Sequence, residues 1–550
     1  MPRLSPAAVG TTLRNLATVL SNALASLPGD RPEVLIVELA GNFPQRRRPR
    51  RWLGLPPELK RPPETVEALA DKIDRLARAP WLKAVRFQAD ELEIDLATAF
   101  ALRMLFGRLK AAGKRLTFFT SRMSLATLYL ASACDEIVMP ESAELDLCGF
   151  AVEQLYMRDL LARAGIQFDK LAAGEYKSAG DALARQDMSE GHREQLNALL
   201  DSIEREYSET VGRSRGVAPE TVRAWLDECV RTARRALELG IIDRIAYDFE
   251  VALPGDRPYE SGARFLRRAL TPLGAPRIAV ISLEGIIVPG ETRRLPIPLP
   301  GFGGAFAGSK TLLRALRAAE LDDSTAAIVL FVDSRGGSAV ASDLIGREVV
   351  RVGGRKPVVA VMGAVAGSGG YYVVAGAKHI VAAPTSMTGS IGVVAGKFVL
   401  EGLYRKYGLN NEALARGAYA LAFSASRPFA EGERRKVQAV LDDVYGRFTQ
   451  RVAAGRRISL ERADELGRGR IYSGRDALAI GLVDELGGVA TAIGRAAELA
   501  GVPADAPVWN VAAPERLLLP IPEDPTTLMR GLRPLVDETA WLFAPSVISR

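Results

Sequence analysis

Ser368 stands in Gly367-Ser-Gly-Gly370, between an apolar run, Val358 to Val365, that reads as a buried strand, and Tyr371 to Ala377, which reads as the start of a helix. Glycines on both sides permit a sharp strand-to-helix turn and leave room for a substrate backbone. The helix behind offers free N–H groups and the positive end of its dipole. A serine held there is a candidate nucleophile. A glycine-rich turn that merely contains a serine reads the same way from this stretch alone. A nucleophilic serine needs a base, and histidine is the usual one. The chain has two histidines. His379 falls eleven residues after Ser368, at the far end of the same expected helix, and His192 sits in a polar stretch that reads as a surface helix start. A Ser-His-Asp triad is therefore not expected. Lysine can replace histidine if burial strips its charge, since its ordinary pKa of about 10.4 leaves it protonated at neutral pH. Lys177, in Gly174-Glu-Tyr-Lys-Ser-Ala-Gly-Asp181, is the candidate. Taken alone it reads better as a solvated lysine. Val332-Asp-Ser-Arg-Gly-Gly-Ser338 lies between another apolar strand and a helix expected over residues 339–350. There the N–H of Gly337, with that of Gly369, would form an oxyanion hole.

The elements that must position these groups alternate. Strands are expected at 34–39, 84–87, 115–120 and 136–139. Helices are expected at 65–79, 96–112, 125–133, 153–164 and 192–211. Strands alternating with helices imply a mainly parallel sheet covered on both faces. The second half repeats the order, with strands at 278–283 and 327–332 around a helix at 309–320. Tyr129 to Ile137 resembles Tyr372 to Ile380, and Leu171 to Tyr176 resembles Leu414 to Tyr419, both at an offset of 243 residues; Ala236 to Asp243 resembles Ala477 to Asp484 with two residues fewer between. So steady an offset marks a tandem duplication of an α/β unit. Residues 1–30 read as an amphipathic helix, 31–270 as the first repeat, 271–500 as the second, and 501–550 as a Pro-rich tail with an amphipathic patch near 528–542. The counterpart of Ser368 in the first copy is Leu125, and the counterpart of Lys177 in the second is Ala420. Each copy lacks what the other has, so the two are expected to build one site, lysine from the first repeat and serine from the second.

Composition narrows the class. The chain is 48% hydrophobic and 25% charged, which fits a globular protein with real cores. Its net charge of +7 is partly one run, Arg46, Arg47, Arg48, Arg50 and Arg51, read as a solvated loop. No nucleic-acid motif accompanies it, and no nucleic-acid partner is expected. Cys134, Cys148 and Cys229 lack metal-ligand spacing. Two of the three, in apolar surroundings, read as core fillers rather than a disulfide. No metal or cofactor is expected. Val358 to Ala377 is uncharged over twenty residues, but its Gly-Ser-Gly-Gly break favours a buried core over a membrane span. Leu13, Leu16, Leu20, Leu24 and Leu27 share one helix face, expected to pack on the body, with a membrane surface as the alternative. The apolar, glycine-rich stretch between Pro289 and Gly308 is expected to be a loop, either a mobile rim or lid over a groove or a surface Ω-loop. There is no clear signal peptide or transmembrane span, so location is left open between the cytoplasm and a bacterial inner membrane.

Strand-Gly-Gly-helix, then strand-Gly-Ser-Gly-Gly-helix, then Gly-x-Tyr-Lys-Ser-Ala together resemble the signal peptide peptidase A family of serine proteases, in its long, duplicated form, over about residues 30 to 500. The resemblance implies two tandem units of the Clp protease/crotonase-like fold and a Ser-Lys dyad. Ser368 would be the nucleophile and Lys177 the base, with Gly337 and Gly369 as oxyanion donors. Ser390, in Thr388-Gly-Ser-Ile-Gly392, would hold the lysine amine, helped by Ser178. It also implies peptide substrates such as residual signal peptides, and a homo-oligomer, commonly a tetramer. Two features depart from the family. Arg335 stands where most members have proline, and the usual N-terminal membrane anchor is replaced by the amphipathic helix. A crotonase-like acyl-CoA enzyme and a non-catalytic scaffold of the same fold are the alternatives.

Overall fold

The computed structural model describes residues 6–26, 29–46, 64–252, 254–299, 303–511, 516–517 and 541–543. The chain forms two compact units. One comprises the residues up to Gly149 with Ile203–Arg277 and Asp505–Pro507; the other comprises Phe150–Ser202, Ile278–Ala504 and the residues from Val508 onward. The segment Phe150–Ser202, which precedes the sequence seam, thus belongs in space to the second unit.

The first unit is built on a six-stranded sheet. In spatial order its strands are Arg257–Pro258, Val34–Gly41, Ala84–Leu92, Arg115–Thr120, Glu136–Met139 and Arg244–Ile245. Every pairing is parallel. Alternation places Leu35, Val37 and Leu39 of the first long strand in the core. The helices between strands start where the sequence provides caps. Thr65 accepts from Ala68 N–H, Asp95 from Thr98 N–H, and Ser124 from Thr127 N–H.

The second unit repeats the plan. Arg277–Glu284, Thr325–Ser334, Val358–Gly367, His379–Ala382 and Glu485–Leu486 are neighbours in the same relative order as their counterparts in the first unit, and the last four pair in parallel. The strand Thr325–Ser334 pairs both Val358–Gly367 and Arg277–Glu284. Its run of Ala327 to Val332 is wholly buried, as expected for a strand covered on both faces. A second, mixed sheet stands beside it. Part of its order is Ile286–Val288, Gly336–Ser338, Trp541–Phe543, Val393–Val399, Gln167–Ala173. The last two pair antiparallel over seven residues, from Val393 opposite Ala173 to Val399 opposite Gln167.

Several expectations are corrected here. Cys148 and Cys229 are joined by a disulfide across 81 residues, leaving Cys134 as the free, buried thiol. Residues between Pro289 and Gly308 are not a plain loop, because Arg293–Leu299 and Gly303–Gly308 pair antiparallel. The helix Pro6–Ala25 forms, but Leu13, Leu16, Leu20 and Leu24 are exposed. Contact with the body runs instead through Asn15 and Asn22, which hydrogen-bond the backbone of Thr271 and Arg268. Leu27 lies outside the described residues, as does most of the basic run; Arg46 is buried beside Glu67. Most of the 528–542 patch also falls outside them. The helix expected at 153–164 is confined to Arg158–Arg163.

The cysteine arrangement predicts a thiol count. Native protein should show no reactive thiol, because Cys134 is buried and burial pushes its pKa upward. Unfolded without reductant it should show one, and with reductant three. Cys148→Ser should lower unfolding free energy by about 2–5 kcal/mol, read by denaturant titration.

Candidate active site

Ser368 caps the short helix Gly369–Val374 at the end of the strand Val358–Gly367. Its backbone takes φ 55° and ψ −115°, a conformation that a residue with a Cβ adopts only under constraint. The constraint is visible: Ser368 N–H donates to Gly389 O at 2.8 Å, and Ser368 O accepts from Tyr372 N–H at 2.8 Å. The neighbouring glycine is required by space. A Cβ on Gly369 would lie 2.6 Å from Ser342 Oγ and 3.2 Å from Gly337 N, so the two candidate oxyanion glycines stand side by side. Gly337 lies in the strand Gly336–Ser338, opposite Ile287.

Lys177 follows the strand Gln167–Ala173 and is 3% exposed. Its Nζ lies 2.7 Å from Ser368 Oγ, 2.9 Å from Ser390 O and 3.0 Å from Ser390 Oγ. Ser390 is itself strained, at φ 50°, and its N–H donates to Arg470 O at 2.7 Å. Ser368, Lys177, Ser390, Gly337 and Gly369 therefore meet in one place. Ser178 does not join them; its Oγ is buried with no hydrogen-bond partner among the described residues. His192 is buried, contrary to the surface position expected, and is held between Gln154 and Gln195. His379 opens a strand rather than ending the serine's helix, and pairs with Glu485. In the first unit the counterpart of Ser368, Leu125, is a buried apolar side chain, while Ala420 sits in exposed irregular chain.

Burial drives the Lys177 pKa well below the usual lysine value, and the positive charge of Lys170 lowers it further. Lys170 Nζ donates to Lys177 O at 2.9 Å and to the Asp181 carboxylate. Among the described residues, neither Ser368 nor Lys177 hydrogen-bonds a carboxylate. A neutral amine has two hydrogens and one lone pair. With Ser390 O and Oγ taking the hydrogens, the lone pair is left for the Ser368 hydroxyl proton. Gly469, at φ +88°, closes over the lysine backbone; a Cβ there would lie 2.5 Å from Lys177 N. Sequence reasoning missed Lys170, Asp181 and Gly469. Asp181 stands in the quoted lysine motif, but nothing in the spacing marks it as the partner of Lys170.

The duplicated α/β chain thus presents the Ser368 hydroxyl to a buried lysine amine. The sequence pattern of peptidase family S49 matches residues 108–253 and again 352–503, and the chain belongs to that family. The two matches start 244 residues apart, in step with the internal repeat. Similar proteins include the chloroplastic serine protease SPPA of Arabidopsis thaliana, 32% identical over 455 residues, covering 80% of this chain and 66% of the relative. Protease 4 of Haemophilus influenzae is 29% identical over 71% of this chain and 65% of its own length. Protease 4 of Salmonella typhi is 32% identical over 71% of this chain and 64% of its own length. The matched region thus spans slightly under two thirds of these relatives.

Three stability predictions come from the packing. A lysine that is neutral when folded and protonated when unfolded binds a proton on unfolding. Its contribution to stability therefore rises with pH between its depressed folded pKa and about 10.4, where the penalty vanishes. Lys177→Met should be more stable than the parent at neutral pH, with the difference shrinking as pH approaches 10, read by urea titration. Gly469→Ala should cost about 1–3 kcal/mol. Gly446→Ala, inside the helix Glu431–Arg456 with open space around it, should gain about 0.5–1 kcal/mol in the same assay.

Proposed function

We propose that this chain is a serine endopeptidase in which Ser368 and Lys177 form the catalytic dyad. The observation that carries the reading is the 2.7 Å approach of Lys177 Nζ to Ser368 Oγ, with both groups removed from water. Ser368 Oγ attacks the peptide carbonyl carbon while its proton passes to the Nζ lone pair. The carbonyl electron pair moves onto oxygen, where the N–H groups of Gly337 and Gly369 stabilise it. As the intermediate collapses, the C–N bond breaks and the lysine ammonium returns the proton to the leaving amine. Water then attacks the acyl ester, with Lys177 again as base. Ser390 keeps the amine aimed throughout.

The substrates are extended, apolar peptides such as residual signal peptides. Supporting this, the chain's own Trp541–Phe543 runs antiparallel to Gly336–Ser338 on one side and to Val394 on the other, so the site edge accepts an extended strand. The protease names of the relatives agree with peptide hydrolysis. Assembly as a homo-oligomer, a tetramer by family resemblance, belongs to the same reading. So does contact with a membrane surface through the exposed leucines of Pro6–Ala25; no described helix is long and apolar enough to cross a membrane. A crotonase-like acyl-CoA enzyme would need an acid/base pair that Ser368 and Lys177 do not provide, and a scaffold would need no depressed amine at all.

The test is hydrolysis of a fluorogenic apolar peptide together with labelling by a fluorophosphonate probe. Ser368→Ala and Lys177→Ala should each lose on the order of 10⁴-fold in kcat while remaining folded. Labelling should be confined to Ser368. Activity should rise with pH, with its midpoint well below 10.4, as the buried amine sheds its proton. Near-normal activity in Lys177→Ala would sink the dyad.

A further inference from the structure

Arg335 is half-buried beside the site. It joins the strand Thr325–Ser334 to the strand Gly336–Ser338, so it immediately precedes the glycines placed at the oxyanion. Among the described residues no acceptor lies within hydrogen-bond or ion-pair reach of its guanidinium. Asp333 attracts it from a distance, but that carboxylate already accepts from Val365 N–H at 3.1 Å. Guanidinium does not shed its proton and carries five donors in a planar fork. Leaving it partly out of water with no acceptor is costly, and a ligand carboxylate would recover that cost through paired, charge-assisted bonds.

Strand direction says which part of a ligand reaches it. In the slot beside Gly336–Ser338, Trp541 faces Ser338, Leu542 faces Gly337 and Phe543 faces Gly336. A peptide in the same slot and direction, its scissile carbonyl at Gly337, places the residues after the cut against Gly336 and then Arg335. We infer that Arg335 is a specificity residue that binds a substrate carboxylate on the leaving-group side of the cut. This rests on the peptidase reading above. The carboxylate has two sources, an acidic side chain just after the cut or the free C-terminus of a short leaving fragment.

Two matched peptide pairs separate them. One pair carries Glu or Gln at the first two positions after the cut, with an amidated end. The other carries Gln there, with a free or an amidated end. Each is measured with the parent, Arg335→Gln and Arg335→Lys. The parent should favour the carboxylate member of at least one pair by about tenfold in kcat/KM, the size of one charge-assisted hydrogen bond. The ratio should fall to about one in Arg335→Gln, and Arg335→Lys should keep part of it. In the parent it should also shrink as salt is raised. The same ratios read as Kd by fluorescence anisotropy in a Ser368→Ala background decide the point without turnover, so failure of the peptidase reading and failure of the subsite are distinguishable. Parent ratios near one in both pairs, or ratios unchanged in Arg335→Gln, would overturn the assignment.

Discussion

The site depends on keeping one amine out of water. A lysine in solvent holds its proton at neutral pH and has no lone pair to offer. Here the amine is held by the turn at Ser390 and the turn at Ser368, the loop around Gly469 closes over the lysine backbone, and Lys170 brings a positive charge nearby. Two of these segments carry backbone strain, since Ser368 and Ser390 both sit at positive φ. Strain of that kind persists only where surrounding structure over-determines it. Hydrogen bonds from Ser368 N–H to Gly389 O and from Ser390 N–H to Arg470 O supply the fixing contacts. The same burial that lowers the amine's pKa also encloses the Ser368 hydroxyl, so geometry and electrostatics have a common cause.

The duplication explains how such a site can be assembled without rebuilding a fold. Both units keep the same strand order, and the strand–turn–helix that carries Ser368 has a direct counterpart at Arg122–Ser124 and Leu125–Ala131. There the position is leucine and is packed as core. The second unit, in turn, draws its lysine strand from the segment before the seam. One unit carries leucine where the other carries Ser368, and Lys177 reaches Ser368 from the segment before the seam.

Much of this was legible in the residues. Apolar runs alternating with helical stretches marked the strands and their order along the chain, and the complementary substitutions at Leu125 and Ala420 pointed to Ser368 and Lys177 as partners. What periodicity cannot reveal is which distant segments touch. The Cys148–Cys229 bond spans 81 residues and leaves no local trace. His192 looked solvated because its sequence neighbours are polar, yet it is buried between two glutamines. The leucines of Pro6–Ala25 looked like a packing face, and two asparagines on that helix make the contacts instead. The hairpin within 293–308 was hidden by glycine and proline, which read as loop until partner strands are known.

The antiparallel pairing of Gln167–Ala173 with Val393–Val399 also sets a clock. Ala173 and Val393 are 220 residues apart in the chain. At about 5–20 residues per second, the lysine strand leaves the ribosome some 10–40 s before its partner is made. Until then the lysine has no enclosure, keeps its proton and faces no serine. The buried contact between Lys177 and Ser368 therefore forms only after the strand Val393–Val399 has been made, late relative to both residues.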